Sequence, residues 1–312
     1  MSFSSCKEAE QVRVYAPDGA PALALAKLLH EDTDDDGVTY TITSANKIQA
    51  FVGGADSAEV CILPINQASN LLGDGATYQM VGLATHGNMY LLSEQNTWIS
   101  PENVGQLTGK RLGVVQLPNV PGLALRAALS LRGVAYSTTT VTMDGVYLQG
   151  IAPTEVKAQG DYDYYLCPEP AASAKIKAFT AQGKPLYMVG DLQAFYGEEG
   201  YPQACVVAKK SFIQSSPKKL KEILDGLTGV STYLQSAEIA EICSAVSSHL
   251  EEGLSATFSV QNLSREVLSR CGVRFEKSES CRQRVDEFLQ KIKAISADSA
   301  SVVSDNFYYI EG

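Results

Sequence analysis

Four short segments share one composition and one setting. Pro17-Asp18-Gly19-Ala20-Pro21, Pro64-Ile65-Asn66-Gln67, Gln116-Leu117-Pro118-Asn119-Val120-Pro121-Gly122 and Pro168-Glu169-Pro170 each follow an apolar strand-like run and open a helical pattern. The first turn of a helix carries unpaired N–H groups and the positive end of the helix dipole. Pro or Gly there lets a ligand approach without removing a needed donor. Such turns receive an anion or a carbonyl oxygen. One of them is ordinary in any α/β protein, whereas four in two matched blocks point to a ligand site. Tyr15, Tyr90, Trp98, Tyr147, Phe195, Tyr196 and Tyr201 stand near these turns and the junctions between blocks. Aromatic rings offer flat apolar contact with one polar tip, which suits a planar ligand that must later be released, and they serve equally well in a packed core.

Other chemistry has little material. The three histidines, His30, His86 and His249, lie in separate segments, so neither a His-based triad nor a metal cluster is expected. His30 and His249 fall on helices and read as capping or surface residues, while His86, in Thr85-His86-Gly87-Asn88, lies between two strands at the first junction. The chain contains no G-x-S-x-G elbow, no G-x-x-x-x-G-K-[ST] loop and no G-x-G-x-x-G after its first strand, which removes support for hydrolase, nucleotidase and dinucleotide readings. Its seven cysteines include no C-x-x-C, which argues against a zinc or redox site. Cys61 and Cys205 sit in apolar runs and read as small hydrophobes; Cys271 and Cys281 are spaced to close a loop in an oxidising compartment or to remain thiols. Phe3-Ser4-Ser5-Cys6 reads like the end of a lipoprotein signal with its anchoring cysteine. The acidic run Glu31, Asp32, Asp34, Asp35 and Asp36 lacks the D-x-D-x-D-G spacing of a calcium loop and reads as a solvated turn.

The elements that must position these residues follow from periodicity. The chain has 312 residues, 45% of them hydrophobic and 19% charged, enough for one large or two ordinary cores. A net charge of −10 opposes a nucleic acid partner, and no apolar run approaches the roughly 20 residues of a membrane span. Strands at Gln11 to Ala16, Val38 to Thr43 and Glu59 to Leu63 alternate with helices at Pro21 to His30, Lys47 to Val52 and Gln67 to Leu72. A second block has strands at Arg111 to Val115, Ala135 to Thr142, Asp163 to Cys167 and Leu186 to Val189. Its helices are Pro121 to Leu131, Thr154 to Gln159 and Ala171 to Ala181. After a strand at Ala204 to Lys209 the pattern is helical throughout: Pro217 to Gln235, Ala237 to Glu252, Val260 to Cys271 and Ser278 to Ile295. The simplest arrangement returns this remainder to the first block. Residues 1–92 and 205–312 then form a discontinuous lobe I and residues 93–204 lobe II, with crossings near 90 to 94 and 202 to 206. Each lobe is expected to hold a mainly parallel sheet flanked by helices.

In order and spacing, several segments resemble the type II periplasmic solute-binding proteins of ABC importers, in the branch that binds nitrate, alkylsulfonates, taurine or pyrimidine thiamine precursors. They are Leu63-Pro64-Ile65-Asn66-Gln67-Ala68, His86 to Ser93, Leu107-Thr108-Gly109-Lys110-Arg111-Leu112-Gly113-Val114, Pro168-Glu169-Pro170-Ala171 and Gly200-Tyr201-Pro202-Gln203-Ala204. The resemblance covers nearly the whole chain and implies two α/β lobes that close on a ligand by hinge motion. It implies an extracytoplasmic protein that captures rather than transforms, needs no cofactor or metal, works as a monomer, and hands its small-molecule ligand to a transporter permease. Family contacts carry over to Asp18, Gly19, Ala20, Asn66, Asn88, Asn119, Gly122 and Glu169, and an aromatic among Tyr90, Trp98 and Tyr201 stacks on the ligand. No Lys or Arg falls within these loops, and an unpaired Glu169 would oppose a simple anion, so a heteroaromatic such as a thiamine pyrimidine precursor ranks ahead of nitrate, taurine or an alkylsulfonate. The same fold also hosts lyases of an alternative menaquinone route, which leave little motif trace, and pyrimidine-forming suicide enzymes, whose Cys-rich run is missing here.

Overall fold

The computed structural model describes residues 11–33, 37–54 and 57–311. Cys6 and Asp34 to Asp36 lie outside them. The strands are β1 (Val12–Pro17), β2 (Val38–Thr43), β3 (Val60–Pro64), β4 (Tyr78–Thr85), β5 (Met89–Ser93), β6 (Arg111–Val115), β7 (Tyr136–Ser137), β8 (Val146–Ile151), β9 (Tyr164–Pro168), β10 (Tyr187–Asp191), β11 (Ala204–Lys209) and β12 (Val273–Lys277). They form two six-stranded sheets, ordered β12-β4-β11-β3-β1-β2 and β10-β5-β9-β6-β8-β7. The helices are α1 (Ala20–Ala24), α2 (Ala26–Glu31), α3 (Ile65–Leu72), α4 (Val120–Leu131), α5 (Ala171–Thr180), α6 (Lys210–Ser215), α7 (Pro217–Thr228), α8 (Val230–Ser236), α9 (Ile239–Ser247), α10 (Arg265–Arg270) and α11 (Ser278–Ile295).

Each sheet has a parallel centre, β2-β1-β3 in one and β7-β8-β6-β9 in the other. The strands that run against these centres are β11 and β12 in the first sheet and β5 in the second. β5 and β11 enter their sheets directly from the other sheet, without a crossover helix, so no right-handed crossover obliges them to lie parallel. The chain passes from the first sheet to the second between Thr85 and Met89, and returns between Asp191 and Ala204.

Strand alternation divides the core. Cys61, Leu63, Cys205 and Val207 point to one face of the first sheet, where α11 contributes Val285, Phe288 and Ile292. That cluster continues into the second sheet through Leu123 and Ala124 of α4, Leu112 and Leu148. Val60, Ile62, Ala204 and Val206 point to the opposite face, under α1, α2 and the helices from α7 to α10. A third cluster, with Val115, Tyr165, Cys167 and Ala172, lies on the outer face of the second sheet. Cys271 and Cys281 belong to opposite faces of the first sheet and both are free thiols, so the loop-closing alternative does not hold.

Several elements differ from the periodicity reading. The remainder after β11 is not purely helical, because β12 (Val-Arg-Phe-Glu-Lys) pairs with β4 at the sheet edge, where a polar, half-buried strand carries no apolar run to signal it. β8 is an additional strand, and β7 covers two residues where a longer strand was expected. The helices expected at Lys47 to Val52 and Thr154 to Gln159 are single 3₁₀ turns, Ile48–Val52 and Pro153–Glu155. The helix expected from Pro217 to Gln235 breaks at Gly229. No helix among the described residues is long and apolar enough to cross a membrane.

Candidate functional site

The two passages are packed backbone on backbone. His86 N donates to Gly272 O (2.9 Å), and Gly87, Gly200 and Gly272 all have positive φ. A Cβ on Gly272 would lie 2.0 Å from Gly87 O, and one on Gly200 would lie 2.2 Å from His86 O. Only glycine permits that approach. Tyr201, fully buried, stacks on Phe288 with ring centroids 5.6 Å apart.

His86 is held inside this junction. Arg284 Nη2 donates to its Nδ1 (3.2 Å), which leaves Nε2 as the N–H that donates to Arg274 O (3.2 Å). Glu276 pairs with Arg284, and Glu199 pairs with both Arg274 and Arg284. Burial first, then the Arg274 and Arg284 charges, push the His86 pKa down to about 3 from its ordinary 6.5. The folded form therefore binds fewer protons than the unfolded form between these values, and stability falls as pH drops from about 6.5 towards 3. From pH 7 to pH 5 this residue is expected to remove about 2 kcal/mol. Urea unfolding of His86→Gln beside the wild type checks it: the variant should lose correspondingly less over that interval.

Next to His86 begins a polar chain linking the two sheets. Asn88 Nδ2 donates to Glu169 O (2.6 Å), Glu169 N donates to Asn88 O (2.8 Å), and Gln203 Nε2 donates to Asn88 Oδ1 (2.9 Å). The Glu169 carboxylate accepts from Arg270 Nε (2.8 Å), Ser173 Oγ (2.6 Å) and Ser173 N (3.0 Å). Arg270 Nη2 also donates to Ser173 Oγ (2.8 Å), and Nη1 pairs with Glu266 (2.6 Å). Tyr90 Oη donates to Arg270 O (3.2 Å). Arg270 ends α10, which packs on the first sheet, whereas Glu169 and Ser173 lie at the β9–α5 turn of the second. The pair thus spans the two lobes. Lys177 of α5 also reaches across, donating to Gln261 O. With its side chain wholly buried and ion-paired, Glu169 is not the unpaired carboxylate that would oppose an anion.

Of the residues carried over from the sequence, Asn88, Tyr90, Glu169 and Tyr201 meet at this junction. The others stand elsewhere. Asp18 Oδ2 accepts from Thr257 N (2.8 Å) and Oγ1, and Gly19, at φ 98°, opens α1 with no atom within 4 Å of where a Cβ would stand; Ala20 is buried behind it. Asn66 Nδ2 donates to Ser299 O (3.3 Å). Asn119 caps α4 through its backbone alone, and Gly122 is packed against the Leu117 backbone, where a Cβ would come within 2.1 Å of its carbonyl oxygen. Trp98 is 54% exposed, bonded through its carbonyl to Asn103. His249 caps α9 through Nδ1 to Ala245 O (2.6 Å) and meets Asp32 through Nε2 (2.9 Å). No group of three or more His, Cys, Asp or Glu among the described residues is arranged to hold a metal ion.

Arg270, Ser173 and Gln203 were not among the residues singled out from sequence. Arg270 and Glu169 are about a hundred residues apart and on elements of different sheets, so no local spacing marks them. Gln203 lies in Gly200-Tyr201-Pro202-Gln203-Ala204, where its residue type alone assigns it no role.

No family model and no curated protein matches the chain. Solved structures do. An ABC transporter protein from Parabacteroides distasonis superposes with a TM-score of 0.75 at 16% identity, over 97% of this chain and 100% of the other. The periplasmic aliphatic sulphonate-binding protein of Escherichia coli superposes at 0.66 and 13%, over 98% and 95%. The ligand-binding component of an ABC-type import system from Staphylococcus aureus does so at 0.60 and 10%, over 96% of each chain. Two mixed sheets joined by two short passages, matched over nearly the full length of these proteins, give this chain the fold of the type II periplasmic solute-binding proteins of ABC importers.

Proposed function

We propose that this protein is the extracytoplasmic solute-binding component of an ABC importer. It captures a small organic molecule between its lobes as a monomer, without transforming it, and delivers it to a permease; a lipid anchor at Cys6 would keep it at the membrane surface. The observation that carries this reading is the cross-brace at the passages: two sheets joined by short segments and tied by the Glu169–Arg270 pair and the Asn88 bridge. Side-chain bonds of this kind break and re-form as lobes rotate, which is what hinge closure on a solute requires. An aromatic-lined junction with buried amides suits a heteroaromatic such as a thiamine pyrimidine precursor. A sulfonate is the second reading, favoured by the neutralisation of Glu169 by Arg270 and by the sulphonate-binding neighbour.

The test is a thermal-shift screen of pyrimidines, thiamine, nitrate, taurine and alkylsulfonates, with small-angle scattering on any hit. A solute at about 100 times its Kd should add roughly 2.7 kcal/mol and reduce the radius of gyration. Recovery of a chemically altered solute would overturn capture in favour of catalysis.

A further inference from the structure

Arg284 of α11 reaches both passages at once. Its Nη2 donates to His86 Nδ1 (3.2 Å) in the first, and its Nη1 donates to Glu199 Oε2 (3.4 Å) in the second. Glu276 of β12 pairs with the same guanidinium. Arg274, also on β12, donates to Glu199 O (2.9 Å) and pairs with the Glu199 carboxylate. β12 is a strand of the first sheet and α11 packs on that sheet, so these bonds fix His86 and Glu199 to one lobe. The backbones lie equally close there: neither Gly200 against His86 O nor Gly272 against Gly87 O has room for a Cβ.

The adjoining residues of each passage belong to the other lobe. Asn88 O accepts from Glu169 N (2.8 Å), Asn88 Nδ2 donates to Glu169 O (2.6 Å), and Met89 N donates to Gln193 Oε1 (2.8 Å). In the second passage Leu192 N donates to Met89 O (3.1 Å), and Tyr196 Oη donates to Ala124 O (2.6 Å) of α4. Tyr196 also meets Phe288 edge-on at 5.8 Å, an apolar contact that has no direction and can slide. Between Tyr196 and Glu199 the chain changes sides at one residue. Gly197 N donates back to Ala194 O (3.5 Å), while Gly197 O accepts from Gly200 N (3.2 Å), which closes Glu198 into the turn that carries Glu199. Rotation of one lobe against the other therefore falls on the two torsions of Gly197, φ 89° and ψ −171°. That region is open essentially to glycine alone, and no atom lies within 4 Å of where a Cβ would stand. In the first passage the change of side falls at Gly87, also at φ 89°, and Asn88. A single side-chain bond, from Gln203 Nε2 to Asn88 Oδ1 (2.9 Å), spans it.

We propose that Arg284 clamps both passages to the lobe of the first sheet, and that the lobes turn about Gly197 and the Gly87–Asn88 pair, with the Gly197 torsions setting the resting angle. This rests on the solute-binding reading above and supplies the axis of its closure. The Glu199 side chain is 62% exposed, so salt screens the clamp, whereas the glycine torsions do not respond to salt.

Spin-label distance distributions on the full chain without solute test this. Lys218→Cys with Met143→Cys, and Ser247→Cys with Ala178→Cys, each place one label at an exposed site of either lobe. Cys6→Ser and Cys243→Ser leave only buried native thiols. Alanine cannot hold the Gly197 torsions and its methyl has nothing to strike, so Gly197→Ala is expected to turn the lobes and move the mean of at least one pair by more than about 2 Å. Gly183→Ala, at φ 71° in an exposed turn of the other lobe with equally open space, should stay within about 1 Å. Arg284→Met and the milder Glu199→Gln should each broaden both distributions. Raising salt from about 0.1 M to about 1 M should broaden the wild type and leave Glu199→Gln unchanged. The proposal is overturned if Gly197→Ala keeps the wild-type distances, if Gly183→Ala shifts them equally, or if neither clamp variant broadens them. Because no solute is present, the result is separate from capture: lobes that turn in this way but bind nothing in the screen above would end the solute-binding reading alone.

Discussion

Replacing Arg270 by Met is expected to destabilise the folded protein by about 3 kcal/mol, because the substitution keeps most of the packed stem and removes the only cation bonded to a wholly buried carboxylate among the described residues. Glu169 would keep its bonds from Ser173 Oγ and N, which satisfy lone pairs and leave the charge uncompensated in the interior. The Glu266 side of the same arginine behaves differently. Glu266 is 80% exposed, so Glu266→Gln should stay within about 0.5 kcal/mol of the wild type. Urea unfolding of Arg270→Met, Glu169→Gln and the double variant checks this as a double-mutant cycle. Neutralising both partners should recover more than half of the loss, and a single-variant loss below about 1 kcal/mol would show that the pair does not brace the two lobes.

Gly272→Ala is expected to cost about 4 kcal/mol. The left-handed backbone at φ 63° contributes about 1–2 kcal/mol for any residue with a Cβ. The rest, up to about 3 kcal/mol, comes from overpacking, since the new methyl would stand 2.0 Å from Gly87 O and neither backbone can move without pulling on the His86–Gly272 hydrogen bond. Gly253→Ala is the control: φ is 82° and nothing lies within 4 Å of the added carbon, so only the backbone cost of about 1 kcal/mol remains. Equal losses at the two positions would show that backbone conformation alone matters and that the junction yields to the methyl group.

The parts of the fold legible in the sequence were those encoded locally. Cys61-Ile62-Leu63 and Cys205-Val206-Val207 are unbroken apolar runs, and a strand buried on both faces is written that way, so β3 and β11 were plain. β12 was not, because an edge strand with one neighbour tolerates Arg274, Glu276 and Lys277, and its alternation of Val273 and Phe275 with Arg274 and Glu276 is too short to stand out. The break between α7 and α8 at Gly229 was passed over for a related reason: the apolar stripe continues through it in Ile223, Leu227, Val230 and Leu234.

By itself the sequence determined the two α/β blocks and the proline-flanked turns at the ends of β1, β3 and β9, since each depends on residues within a few positions of one another. Only the tertiary structure decided what the polar residues of those turns touch. It paired Glu169 with Arg270, spent Asp18 on Thr257, sealed Gly122 against Leu117, and oriented Asn88 so that Gln203 presents an oxygen. These are contacts between residues 101 to 239 positions apart for every pair but Gly122 and Leu117. The charge of a site and the direction of its hydrogen bonds are sums over such partners, and no window of sequence contains them.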